Sequence, residues 1–410
     1  MAQTCIVAGG GPAGMMLGYL MARAGVHVTV VEKHPDFLRD FRGDTIHPST
    51  LEVMRELGLI DGLLKLPHTQ AETLSAEIAG TTFRVADFSR LPVATRYIAF
   101  MPQWDFLNYL SGEASRLPCF RLMMETQSEG LLEEDGRVVG IRVRTPEGSR
   151  DLRADLTVVA EGRNSILRGL SGLTSRAFGA PSDVLWFRLS HQPGDPAETM
   201  GHAGPQQGLV MIDRGDYWQC GFVVRKGSFD AHREKGLEAF RDAVRQLSPL
   251  PPERLDEVRS WDDVHLLSVR IDRLDKWWRP GLLCIGDAAH AMSPIGGVGV
   301  NLAIQDAVAA ANILSGPLLA GMMGDRDLAA VQRRRGFPTR ATQKVQLMMQ
   351  SAAARRRASG DKGGPPGFLK GIARWPVLAH VTGRLIGMGF RPEHVAPQIL
   401  AGVRPTADRP

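Results

Sequence analysis

Thr4-Cys-Ile-Val-Ala8 followed by Gly9-Gly10-Gly11-Pro12-Ala13-Gly14 opens the chain and decides how the remainder is read. Thr4–Ala8 is a short apolar run of the kind that forms a buried strand, and Ala13–Ala24, stopped by Gly25, carries a helical pattern. Between them Gly9, Gly11 and Gly14 stand at G-x-G-x-x-G spacing. Gly9 permits the tight turn, Gly11 lets the main chain approach a pyrophosphate, and Gly14 lets the helix pack closely on the strand. Pro12 and Ala13 start that helix, whose N-terminal N–H groups favour an anion. Val26–Glu32 reads as a second strand, and Glu32 at its end stands where a carboxylate can bond ribose hydroxyls. Strand, glycine turn, helix and terminal acid together predict a bound dinucleotide, without separating FAD from NAD.

A chain of 410 residues is too long for one ordinary core and suggests two or three domains. With 43% hydrophobic and 23% charged residues, general disorder, collagen-like order and a polytopic membrane protein are excluded. Cys5, Cys119, Cys220 and Cys284 lie far apart without a C-x-x-C pair, which argues against a disulfide scaffold or a four-cysteine zinc site and fits a reducing compartment. The apolar segment Cys5–Gly25 lacks a positive flank and is interrupted by glycines, so it does not read as a signal peptide. No uninterrupted apolar run reaches the length of a membrane span, and a cytoplasmic location is expected. The net charge of +5 is unevenly placed: Val331–Pro410 holds 15 Lys and Arg against three acidic residues, while the first 330 residues hold 34 against 41. The chain is an acidic body with a basic tail.

Further along, Pro48–Leu57 and Gln103–Arg116 read as helices. Leu74–Ile78, Thr82–Val85 and Tyr97–Phe100 read as antiparallel strands, and Val138–Arg144 with Asp151–Ala160 as a hairpin turning at Pro146-Glu-Gly148. From Asp183 to Arg270 strand patterns dominate, with Trp186, Phe187, Tyr217, Trp218 and Phe222 among them and Gly215-Asp216 as a turn. Residues 1–72, 101–182 and 273–330 are therefore read as one discontinuous α/β domain. Residues 73–100 and 183–272 are read as an inserted sheet domain, and 331–410 as a basic helical extension. In that extension a helix is expected to end near Met349, with a low-complexity loop from Ala352 to Gly367 and a last helical piece from Phe368 to Gly389.

A second stretch separates the two dinucleotides. Arg279-Pro-Gly-Leu-Leu-Cys-Ile-Gly286-Asp287-Ala-Ala-His290 leads through Ser293-Pro294-Ile-Gly296-Gly297-Val-Gly299-Val300-Asn301 to Asp306. It resembles the second FAD motif of the single-component flavoprotein aromatic hydroxylases, the para-hydroxybenzoate hydroxylase type. That resemblance implies an α/β fold. A Rossmann-like FAD-binding domain of this type would carry an inserted, mainly antiparallel β-sheet substrate domain and C-terminal helices. It implies that the strand delivers Asp287, after Gly286, to the ribityl chain of a tightly but non-covalently bound FAD. The loop from Pro294 would lie against the isoalloxazine ring, with Gly299, Val300 and Asn301 leading into a helix aimed at its pyrimidine end. Pro294, Gly296 and Gly297 are the positions so implied in catalysis, since glycine lets main-chain N–H groups face the ring and helix-terminal N–H groups stabilise negative charge on reduced flavin. No single obligatory catalytic side chain is expected.

Asp155-Leu-Thr-Val-Val-Ala-Glu161-Gly162-Arg163 resembles the middle motif of the same family, a strand ending in Asp-Gly and associated with both FAD and NAD(P)H. Here Glu161 puts the carboxylate on a stem one methylene longer, which puts its direct contacts in doubt. Arg42 matches an arginine near FAD, with a solvated surface charge as the alternative. Gln103 matches a glutamine near the FAD sugar-phosphate chain, with a plain helix start as the alternative. Lys33, beside Glu32, is counted with the cofactor residues. The resemblance covers residues 4 to 350 and implies no metal. It implies that NAD(P)H, a transient co-substrate, reduces the flavin, that O2 adds as a C4a-hydroperoxide, and that oxygen passes to an aromatic or quinone-like small molecule.

Other readings stay open at this point. A membrane-associated ubiquinone-pathway hydroxylase of the same fold would suit the basic tail, and a non-catalytic flavin-binding redox protein would suit the motifs. A flavin-dependent halogenase is disfavoured because the W-x-W-x-I-P tract is absent. His47 and Asp44 fall where flavin and substrate would approach, and His290 reads as a structural hydrogen-bond partner. The aromatic residues around Trp186 and Tyr217 read as sheet core before substrate pocket. Arg333-Arg-Arg335 reads as a solvated helix face. The mixed basic and apolar piece Phe368–Gly389 suits peripheral membrane contact, and equally a cap on the body. No nucleic-acid module is present, so nucleic-acid binding is not expected.

Overall fold

The glycine turn after Thr4–Ala8 stands where the main sheet reverses its strand order. In the computed structural model, which describes residues 3–38, 45–78, 80–196, 200–204, 207–358, 371–372, 374–375 and 377–403, Thr4–Ala8 runs parallel to His27–Val31 on one side and to Leu156–Val159 on the other. The sheet order is Trp278–Arg279, Leu282–Cys284, Leu156–Val159, Thr4–Ala8, His27–Val31, Phe120–Met123. The Trp278 edge pair is antiparallel and the rest are parallel. Ligands of doubly wound sheets bind at the carboxyl ends of the strands, at such a switch point.

Gly18 lets the helix Pro12–Arg23 settle on this sheet, since a Cβ there would stand 2.6 Å from Val30 Cγ2. The same helix packs against Val298–Leu319. Ile295–Leu319 is long and apolar enough to cross a membrane, but most of it is buried inside the protein, so core packing accounts for its composition. The hairpin expected over Val138–Ala160 is shorter: Arg137–Thr145 pairs with Gly148–Arg153, whereas Leu156–Val159 leaves to join the main sheet. Four consecutive buried residues make Leu156–Val159 an interior strand instead of a half-exposed hairpin arm.

The second sheet has seven strands in the order His265–Leu267, Ser182–Ser190, Tyr217–Arg225, Gly208–Asp213, Met200–Ala203, Thr73–Ile78, Thr81–Asp87. It is antiparallel except where Met200–Ala203 runs parallel to Thr73–Ile78, the pairing that ties the two sheet segments of the sequence together. Ile98–Phe100 does not join it; it pairs with Thr45–Ile46 and Thr69–Ala71 in a separate small sheet. Strand alternation divides the aromatic residues. Phe187 and Phe222 pack edge-on against Phe240, at 5.6 and 5.7 Å between ring centres, and are core. Trp186, on the opposite face, packs with Phe88, Phe100, Ile212 and Met388.

The described helices of the basic tail pack on the body. One helix runs from Asp325 to Ala358, past the stop expected near Met349, so Arg355 is helical; residues 359–367 of the expected loop, and 368–370 at the start of the expected last helical piece, lie outside the described residues. Arg335 is 1% exposed, which corrects the reading of Arg333–Arg335 as one solvated face: successive helical residues point about 100° apart, and Arg335 points inward. The last long helix, Val377–Gly387, lies on Thr81–Asp87. A Cβ at Gly383 would stand 2.1 Å from the Asp87 carbonyl oxygen.

Candidate flavin-binding and active site

Two glycine turns at the ends of buried strands form the floor of the site. Gly9 has φ +106°, and a Cβ there would lie 2.5 Å from Ala160 O. A Cβ on Gly14 would lie 1.9 Å from Gly9 O. Gly11 is different: nothing in the protein lies within 4 Å of where its Cβ would be. Gly11 is also the N-cap of Pro12–Arg23 and supplies no side-chain cap, so the first N–H groups of that helix have no side-chain acceptor. Glu32 straps the turn, accepting from Gly10 N at 2.9 Å and from His34 N at 3.2 Å. A carboxylate has about four lone-pair sites, enough to serve more than one donor. Lys33 is exposed beside it, Gln103 is buried at the start of Gln103–Ser115, and Arg42 lies outside the described residues.

The second turn joins the first. Gly286 (φ +58°) is pressed between Ala13 and Ala303, whose Cβ atoms would be 3.2 and 3.1 Å from its own. Asp287 follows, about a quarter exposed and paired with Arg163 at 3.1 Å. Sequence reasoning gave Arg163 no role; its one signal was the motif position after Gly162. Glu161 turns away from the opening: its Oε2 accepts from Ser165 Oγ at 2.5 Å and from Leu167 N at 3.1 Å, closing the start of Ile166–Leu170.

The loop from Pro294 carries two consecutive left-handed residues, Gly296 (φ +77°) and Gly297 (φ +62°). A Cβ at Gly297 would meet Thr45 Oγ1 at 2.2 Å, and that hydroxyl donates to Gly297 O at 2.9 Å. Asn301 ties loop and strand together. Its Oδ1 accepts from His47 N (2.9 Å) and Thr50 Oγ1 (2.7 Å), and its Nδ2 donates to Thr45 O (3.0 Å) and Gly297 O (3.3 Å). The whole side-chain amide is thus engaged by the protein. Gly299 and Val300 lie in the first turn of Val298–Leu319, which has no side-chain cap, and Gly299 faces open space.

Three glutamines on one side of Asp325–Ala358 hold the loop from behind. Gln343 donates to Asp272 O and Ala291 O, Gln346 bonds Ser293 N, Ser293 O and Ile295 O, and Gln350 donates to Ser293 Oγ. Beneath them lies a buried charge cluster. Arg335 donates to Asp306 Oδ1 (2.9 Å) and Glu393 Oε1 (3.0 Å), and Asp306 Oδ2 also meets His290 Nε2 (2.5 Å) and Gly286 N (3.2 Å). Burial opposes charge on Asp306, but His290 and Arg335 outweigh it and hold the carboxyl below its ordinary range.

Against Ile295 and Gly296 lies a cavity of about 100 Å³, also lined by His47, Gln305, Met349, Ile386 and Phe390. Gln305 Nε2 and His47 Nε2 are buried there without hydrogen-bond partners among the described residues. His47 Nδ1 lies 2.8 Å from Ile386 O, an acceptor only, so the proton is assigned to Nδ1 and Nε2 presents a lone pair. Burial pushes its pKa down to about 4, against a weaker opposite pull from the Ile386 and Gly296 carbonyls. The unfolded ring, with an ordinary pKa near 6.5, therefore binds a proton before the folded one does. Stability is expected to be unaffected by this group above pH 6.5 and to fall by roughly 3 kcal/mol as pH drops from about 6.5 to about 4. A His47→Asn variant should show a shallower fall over that window in melting curves taken at stepped pH, whatever its stability at pH 8.

The pressed glycines shape two turns. The open Gly11 and Gly299 and two helix starts without side-chain caps then leave a cradle that accepts phosphates and a ring: the residues fit FAD. Fold and site together define a flavin-dinucleotide protein that also carries a seven-stranded, mainly antiparallel second sheet. The chain belongs to the FAD binding domain family, whose model matches residues 1–345. It is 34% identical over 368 residues to 6-methylpretetramide 4-monooxygenase of Streptomyces rimosus, covering 87% of this chain and 88% of that protein. Dialkyldecalin synthase of Streptomyces rugosporus is 27% identical over 331 residues, and there the match spans 75% of this chain but only 64% of that protein. Among solved structures, P. aeruginosa PqsL in complex with 2-aminobenzoylacetate superposes with a TM-score of 0.74 at 21% identity, covering 88% of this chain and 99% of that one. The protein is an FAD-dependent monooxygenase.

Proposed function

We propose that this enzyme hydroxylates an aromatic ring of a polyketide-type or phenolic compound, with NAD(P)H as reductant and O2 as the oxygen source. The observation that carries the reading is the left-handed Ile295–Gly299 turn, held by Asn301 and Gln346 and open at Gly299, beside a largely apolar cavity. The near end-to-end match to a 6-methylpretetramide monooxygenase supports the substrate class. Bound FAD supplies the electron transfer and the activation of oxygen. Gly9, Gly11, Gly14 and Glu32 would hold the nucleotide half, and Asp287, positioned by Arg163, the ribityl chain. The open start of Val298–Leu319 would stabilise negative charge at the ring. Leu302, Met349, Ile386 and Phe390 line the cavity with apolar groups that would limit water at the ring. The His47 Nε2 lone pair and the Gln305 Nε2 donor would orient a hydroxyl and a carbonyl on the compound.

Purified enzyme should carry or take up FAD, and one member of a panel of phenols, quinolones and polycyclic polyketides should stimulate NAD(P)H oxidation. The product should be one oxygen atom heavier, with the label from isotopic O2. Reductant consumption that never yields an oxygenated product, or a protein that binds no flavin, counts against this function.

A further inference from the structure

On the far side of the glutamine row from the flavin loop, the Asp325–Ala358 helix forms one wall of a second cleft, of about 600 Å³, within the usual size range of small-molecule sites. Its charged lining is entirely cationic: Arg273, Arg340, Lys344 and Arg355, over a floor that includes Phe178 and Leu347. Arg340 and Lys344 stand one helical turn apart on the same side. Among the described residues, no carboxylate lines the cleft and no ion pair engages Arg340, Lys344 or Arg355. The nearby Asp275 is taken by Arg176, at 3.7 Å.

Arg273 is the inner member of the set. Its guanidinium lies over the Phe178 ring, 4.9 Å from the centre, and Nη1 donates to Gln343 Oε1 at 2.5 Å. Burial, and then repulsion from Arg340 and Arg176, lower its pKa. Asp275 pulls weakly the other way, and like charges so sparsely countered are stabilised by an incoming anion. Gln343, the residue Arg273 holds, is the same one that bonds Asp272 O and Ala291 O of the chain entering the flavin loop. The cleft and the flavin turn therefore share a wall.

We propose that this cleft docks NADPH, its phosphates over Arg340, Lys344 and Arg355 and its adenine on the free face of the Arg273 guanidinium. The proposal rests on the reading that a nicotinamide dinucleotide is the reductant. Charge complementarity selects this occupant. A pyrophosphate brings two negative charges, and a 2′-phosphate adds about 1.5 to 2 more, against four cations. Arg stacks on planar bases and meets phosphate oxygens with a fixed fork of donors. The glycine turn at Gly9–Gly14 belongs to FAD, so the second dinucleotide needs a surface of its own.

The test uses the FAD-loaded enzyme and a double variant, Arg340→Glu with Lys344→Glu, beside a charge-matched control, Arg150→Glu with Lys235→Glu. Calorimetric titration with NADP+, NAD+ and 2′,5′-ADP, and anaerobic stopped-flow reduction by NADPH, are the readouts. The double variant should raise the NADP+ Kd and the NADPH concentration for half-maximal reduction by about tenfold or more, and lose the preference for NADP+ over NAD+. The wild-type Kd should weaken steeply with salt, the flavin spectrum and dithionite reduction should be unchanged, and the control pair should behave as wild type. A change within about twofold in the double variant, or one equalled by the control pair, overturns the proposal. So does intact NADP+ binding accompanied by lost binding of an acidic substrate. If the wild-type flavin is reduced by neither NADPH nor NADH, the functional reading itself fails, a result separate from failure of the cleft alone.

Discussion

Arg335→Ala is expected to destabilise the protein by about 3–5 kcal/mol, because it leaves two buried carboxylates facing each other with their shared cation removed. Asp306 is fully buried and Glu393 is 6% exposed, so water cannot replace the guanidinium without opening the core. Arg334, bonded to Glu393 at 2.8 Å, would relieve one of the two charges and leave Asp306 with His290 alone. The pH dependence gives the effect its signature. In the wild type the Asp306 carboxyl is held below its ordinary range, so its contribution is present above the unfolded pKa near 3.9 and is lost as pH falls through the lower folded value. Without Arg335 the carboxyl pKa should rise, so the penalty should be largest at pH 7–8 and shrink toward pH 4, where protonation removes the unpaired charge. Denaturant unfolding at stepped pH reads this directly. Because Asp306 also accepts from Gly286 N, flavin should leave at a lower denaturant concentration than it does from the wild type. A pH-independent loss below about 1 kcal/mol would show that the cluster is solvated and that the pairing matters little.

Gly14→Ala should abolish stable flavin binding. The new methyl would meet Gly9 O at 1.9 Å and Val7 Cγ1 at 3.2 Å, and the first of these is main chain that no rotamer change can move. Relief requires the Pro12–Arg23 helix to lift from its strand, at a cost of at least about 3 kcal/mol, which misplaces the N–H groups the phosphates need. The ratio of flavin to protein absorbance after purification should fall below about a tenth of the wild-type value, with a lower melting temperature. Gly11→Ala is the informative partner. Its methyl meets nothing in the protein, so the apoprotein should melt within about 1 kcal/mol of the wild type while FAD affinity drops about tenfold or more. If both variants lost flavin only in proportion to lost stability, the turn would be structural and the cofactor would lie elsewhere.

These contrasts show which parts of the molecule could be read from the chain. Both glycine turns were legible because positive φ and close main-chain approach are local steric demands that glycine meets, and the residues involved are near neighbours in sequence. The Arg335–Asp306–Glu393 cluster was not. Its members lie 29 and 58 residues from Arg335, and Arg335 stood in a run of three arginines that resembles a solvated face. The glutamines at 343, 346 and 350 carried only the weak signal of a polar stripe on a helix. The misassigned hairpin over Val138–Ala160 failed for a related reason: whether Leu156–Val159 pairs with its neighbour in sequence or with Thr4–Ala8 depends on which partner buries both faces.

Glycine spacing, helix starts and apolar runs settled the strand-turn-helix units and the binding of a dinucleotide, since each is governed by sterics and hydrogen bonding within about a dozen residues, while the choice of FAD came from the resemblance of residues 279–306 to a known motif. Where the tail helices Asp325–Ala358 and Val377–Gly387 go was settled by packing across the whole chain. A buried cation is stable only where carboxylates from distant segments converge on it, and no local pattern announces that convergence.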